Sequence, residues 1–172
     1  MRTIIVIFLL FQIQSAIGCN CVKIKALATN QKENFLYSEL IFIGELLKSN
    51  NDGSYEFQII ELLKGKHPGR NVIGKYHSSC SVIPKMTDKI WIVYADLDEN
   101  GIIDIHECGL SRSFDFPFLR HKQAFVPPPL DLNNHDRTLS MIKQFQQMAK
   151  YMEKALKVLR KEIEQLRKWR KE

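Results

Sequence analysis

The chain predicts a mainly β domain followed by one long amphipathic helix, and three observations carry that expectation. Apolar, β-rich runs recur at short spacing between residues 39 and 106, separated by Gly-bearing turns. Beyond Pro127-Pro128-Pro129 a different apolar period starts, in alternating steps of three and four. Charge shifts at the same place. Residues 19–136 hold 13 Lys/Arg against 15 Asp/Glu, whereas residues 137–172 hold 11 against 4. The basic character is thus a property of the tail, and the globular part carries no nucleic-acid signal.

The first element is a leader. Met1-Arg2, an apolar run from Thr3 to Phe11 and small residues at Ala16 and Gly18 predict a secretory signal over residues 1–18. No later segment approaches the roughly 20 apolar residues of a membrane span. The expected product is exported and starts at Cys19. About 150 residues remain, enough for one domain and an appendage.

Residues 22–38 are mixed and polar, with a short helix expected near Gln31–Tyr37. Glu39–Leu47 reads as a strand that stops at the turn Asn50-Asn51-Asp52-Gly53. Tyr55–Leu62 answers it as the second arm of a hairpin, ending at Lys64-Gly65. A third strand, Asn71–His77, leads into Ser78-Ser79-Cys80-Ser81. Lys89–Ala95 is the most apolar run of the domain and predicts a central strand. Ile102–His106 follows a turn at Asp98-Glu99-Asn100-Gly101. Five such strands make a small barrel or sandwich, and an OB-type barrel fits the count.

The domain is expected to span residues 19–116, with a proline-stiffened linker over 117–135. Residues 136–172 then form a single helix with Asp136 as its N-cap. Its apolar seam is Ile142, Phe145, Ala149, Met152, Leu156, Leu159, Ile163 and Leu166, nearly four heptads. That seam could pair with a second copy in a coiled coil, or pack back on the barrel. The basic faces and Trp169 offer a third use, on an anionic membrane surface.

All four cysteines, Cys19, Cys21, Cys80 and Cys108, follow the leader. An even count in an exported chain predicts two disulfides, with three connectivities open. A lone Cys-x-Cys with distant single cysteines lacks the paired spacing of a structural zinc site. Residues 96–107 match a calcium-loop pattern, with Asp96, Asp98, Asn100, Asp104 and Glu107 as oxygen donors around Gly101. The entering element reads as a strand, so the competing expectation is an acidic hairpin turn. His67, His77, His106, His121 and His135 have no metal-site spacing, and no nucleophilic triad is in view. The chain is not expected to be an enzyme, and calcium is its one candidate cofactor.

Taken in order, several features resemble the netrin-type module of the tissue inhibitors of metalloproteinases (TIMPs). They are the leader, the mature Cys19-Asn20-Cys21, the strand SELIFIGEL, Tyr55-x-Phe57 with Leu63-Lys64-Gly65, Ser79-Cys80, Trp91-Ile92-Val93-Tyr94-Ala95 and Cys108. The resemblance covers roughly Cys19 to Ser113. It implies a five-stranded OB-type barrel, with Cys19 paired to Cys80 and Cys21 to Cys108. The family's third core disulfide has no counterpart, and a basic helix stands in place of its disulfide-rich C-terminal domain.

The implied activity is inhibition of a zinc metalloproteinase. The amine and carbonyl of Cys19 would chelate the protease's catalytic zinc in its open position. Asn20 would enter the neighbouring specificity pocket, with Cys21, Ser79 and Ser81 along the same edge. The alternatives are a partner-binding exported protein without this chemistry, and a lipoprotein anchored through Cys19. The last arises because Ala16-Ile17-Gly18-Cys19 also resembles a bacterial lipobox, although Leu is usual where Ala16 stands.

Overall fold

The computed structural model describes Cys19, Cys21 and residues 26–66, 69–119 and 137–171. Helix α1 (Leu27–Tyr37) precedes six strands: β1 (Leu40–Ser49), β2 (Ser54–Lys64), β3 (Asn71–Lys75), β4 (Ile90–Leu97), β5 (Ile103–Asp104) and β6 (Arg112–Ser113). Helix α2 (Arg137–Trp169) ends the described chain. The sheet runs β1-β2-β3-β5-β4, and β4 returns to pair with β1, closing a five-stranded barrel. The last contact is antiparallel from Leu40↔Ala95 to Glu45↔Ile90. β3 and β5 meet in parallel at Gly74↔Ile103, and β6 lies against β4.

The apolar runs of β1 and β4 are continuous because both of their faces are buried. Leu40, Phe42 and Leu46 point into the barrel beside Trp91, Val93 and Ala95. The intervening Ile41, Ile43, Ile92 and Tyr94 point outward, into a second core completed by the helices. β2 alternates only at its start, where Tyr55 and Phe57 are buried between half-buried neighbours. Register shifts in β1 at Ile41/Phe42, Ile43/Gly44 and Leu46/Lys48 bend the strand around the barrel. Closure also needs a residue without a side chain at Gly74, because the ring of Tyr55 lies where its Cβ would stand. The Tyr55 hydroxyl donates to the Ile103 carbonyl at 3.3 Å and accepts the Ile105 amide at 3.2 Å, tying β2 to β5.

The helix of residues 137–169 forms as expected, and its seam divides. Leu159, Ile163 and Leu166 are buried in the second core with Leu27 and Phe35 of α1. Three buried aliphatic side chains contribute about 1.5–3 kcal/mol each. The packing centres on Glu162, whose side chain is 1% exposed against 2% for Arg112. Arg112 grips it as a fork, at 3.1 Å to Oε1 and 2.8 Å to Oε2. Tyr94 donates to Oε1 at 2.8 Å and Gln31 to Oε2 at 2.6 Å. Burial, then the Glu162 charge, push the Tyr94 hydroxyl well above the ordinary tyrosine range.

At the helix end Arg167 donates to Glu61 of β2 at 2.6 Å and Arg170 to the Leu62 carbonyl at 2.7 Å. The Arg167 guanidinium holds the Glu61 carboxyl below its usual value. Trp169 packs against Phe35, with ring centroids 5.0 Å apart and planes tilted by 46°. Lys64 closes α1 by donating to the carbonyls of Phe35, Leu36 and Ser38. The C-terminal half of α2 is therefore part of the domain and not an independent appendage. Its N-terminal half keeps the seam bare, with Ile142 47% and Phe145 69% exposed. No described helix is long and apolar enough to cross a membrane.

Candidate functional site

The four cysteines meet at one place on the barrel. Cys19 is bonded to Cys80 and Cys21 to Cys108, with Cα–Cα distances of 5.1 and 5.3 Å. This is the pairing that the TIMP resemblance implied. The two bridges touch, with Cys19 Sγ 3.6 Å from Cys108 Sγ. Each brings an N-terminal residue onto a separate part of the barrel: Cys80 follows β3 in the turn 78–81, and Cys108 follows β5. All four residues are half-buried.

The turn under Cys80 is built by serines. The Ser81 amide donates to the Ser78 carbonyl at 2.9 Å, and the Cys80 amide to the Ser78 hydroxyl at 3.2 Å. The Ser81 hydroxyl accepts the His77 and Ser78 amides at 3.2 and 3.0 Å and donates to Asp104 Oδ2 at 2.9 Å. Ser81 also bridges to His106 along the backbone, and the Glu107 amide donates to the Cys80 carbonyl at 2.7 Å. Ser81 is thus buried, with its hydroxyl turned inward to Asp104. That hydroxyl joins the turn to β5. Ser79 is exposed and stays available. Asn20 lies outside the described residues.

Donor atoms of Cys19, His106 and Cys108 lie within 4.8 Å of one another, the one such trio among the described residues. Both sulfurs are in disulfides, so the trio lacks the thiolates that bind zinc. The expected calcium donors are spread along a hairpin. Asp96 and Asp104 are paired across β4 and β5. Asp98 Oδ1 accepts the Asn100 and Ile102 amides, both at 2.8 Å. Those bonds hold the Asp98 carboxyl below the usual carboxylate range. Gly101 takes a φ of 74°, which only glycine adopts without strain. The calcium-loop spacing is here met by a turn between strands. Asp104 Oδ1 is buried with no partner among the described residues.

Of the histidines, His77 and His106 are exposed, and His67, His121 and His135 lie outside the described residues. Arg112 and Glu162 went unmarked in the sequence. An acid between Leu159 and Ile163, on the buried side of an apolar seam, was the one available signal. Compared with known proteins, the chain matches no family model and no curated sequence.

Proposed function

We propose that the mature chain is a secreted, TIMP-like inhibitor of a zinc metalloproteinase, built on an OB-type barrel. The ring β1-β2-β3-β5-β4 supports the barrel type, since it fits a five-stranded Greek-key barrel. The observation that carries the inhibitory reading is the Cys19–Cys80 bridge beside Cys21–Cys108. With the thiol of Cys19 held on the turn, leader removal leaves its amine and carbonyl as a fixed bidentate ligand. The α-amine has an ordinary pKa of about 7.7–8, so a neutral, zinc-binding form is accessible near neutral pH. Acylation of the Cys19 thiol would compete directly with the bond to Cys80, which weighs against a lipid anchor.

The test is an inhibition constant against a panel of zinc metalloproteinases, with the native N-terminus and with one alanine added before Cys19. The native form is expected to inhibit, and the added residue to weaken it on the order of a hundredfold, about 2.7 kcal/mol. Equal potency of the two forms would sink zinc chelation by Cys19.

The bare N-terminal half of α2 favours a second role, pairing with another copy through Ile142 and Phe145. Sedimentation of the mature chain should then depend on concentration, and Ile142→Glu with Phe145→Glu should leave a monomer at all concentrations. A native chain that stays monomeric throughout removes this reading.

A further inference from the structure

We propose that the outward face of α2 is a docking surface for a linear sulfated polysaccharide. At 3.6 residues per turn, Lys143, Lys150, Lys154, Lys157, Lys161 and Lys168 fall within about 60° of arc. Leu159, Glu162, Ile163 and Leu166, which seat the helix on the barrel, lie on the opposite side. The six lysines form a straight exposed row, about 37 Å long at 1.5 Å per residue. Only Lys157 has an ion pair, with Glu153 at 2.7 Å; the other five have none among the described residues.

Solubility alone does not account for this row. A solubilising surface intersperses the two signs, whereas the barrel-containing segment 19–136 has two more acids than bases and the tail has seven more bases than acids. The row also sets Lys150 four residues from Lys154 and Lys157 four from Lys161. Such like-charge spacings each destabilise a helix by a few tenths of a kcal/mol. A polyanion along the row would reverse the sign of that term.

The arrangement selects among anionic partners. A helix lying in a membrane surface must insert its apolar face along its length. Here the barrel already covers that face from Leu159 onward. Sequence-reading nucleic-acid surfaces use arginine forks on base edges, and single-strand grooves use aromatic platforms. The row contains neither. A line of compact ammonium charges suits a chain of separate sulfates, where each contact is a point charge. The row and the Cys19 edge lie on different elements, so this inference does not depend on protease inhibition.

Immobilised heparin is the probe, with the mature full chain. The native protein should be retained at physiological salt. Lys143→Glu/Lys150→Glu/Lys154→Glu/Lys161→Glu should bind at least about 100-fold more weakly. The slope of log affinity against log salt should fall by about one for each contacting lysine removed. Reversal of four exposed barrel lysines, Lys66, Lys75, Lys85 and Lys89, changes net charge equally and should cost less than about threefold. Glutamine at the same four helix positions, with helicity followed by circular dichroism, separates charge loss from unfolding and should also weaken binding. Equal losses from the two lysine sets would overturn the proposal. So would tighter binding to duplex DNA or to phosphatidylserine vesicles than to heparin at the same salt.

Discussion

Replacing Glu162 with alanine is expected to lower the free energy of unfolding by about 3–5 kcal/mol. The side chain is buried and satisfies three donors from three elements: Arg112, Tyr94 and Gln31. Its removal leaves a guanidinium in an apolar site, still bonded only to the carbonyls of Leu110 and Pro117. An intact buried ion pair is worth little net, because desolvation offsets most of the attraction. Breaking it leaves a charge uncompensated, and that penalty dominates. The double change Glu162→Leu with Arg112→Met should therefore be milder than Glu162→Ala, at about 2 kcal/mol or less. The chain's two tryptophans make the test specific: Trp169 lies in the helix–barrel core and Trp91 inside the barrel. Urea unfolding of the alanine variant should release Trp169 before Trp91. A loss under about 1 kcal/mol would show that α2 does not depend on this contact.

The same region marks what could be read from sequence. The apolar runs LIFI and IWIVYA announced strands, and the heptad steps announced α2. Periodicity reports that a face is buried but not what covers it, so the C-terminal half of the seam met the barrel. Barrel closure was harder to see. It depends on one parallel pair, Gly74↔Ile103, and on a β5 of two residues where a five-residue strand was expected. The rest of that stretch makes a single bridge, Ser81↔His106. Arg112 and Glu162 are 50 residues apart, in segments with no shared pattern. At the cysteine edge, cysteine counting left three pairings open. Ser79 and Ser81 looked equivalent because tetrapeptide sequence does not show which hydroxyl turns inward.

Removing the Cys19–Cys80 bridge, as Cys19→Ser with Cys80→Ser, is expected to destabilise the protein by up to about 4 kcal/mol. A cross-link 61 residues apart in sequence restricts the unfolded chain by about that much in the chain-entropy account. The Cys21–Cys108 bridge spans 87, and the logarithmic dependence brings the two within about 0.3 kcal/mol. The loops overlap. Once one bridge is made, the other closes only about 30 residues, so removing both costs less than the two losses added. Even so, the total, about 8 kcal/mol, falls within the 5–15 kcal/mol that stabilise a typical domain, and the protein without either bridge should be largely unfolded.

Near-equal stability losses give the comparison its use. Below the melting temperature of both variants, the chain without Cys21–Cys108 keeps Cys19 fixed at Cys80 and should retain most inhibition. The chain without Cys19–Cys80 should lose it, although its barrel is just as stable. If both lose inhibition in proportion to stability, the bridges act as staples alone. Inhibition that survives only with Cys19 tied to Cys80 would tie activity to the position of one residue's backbone.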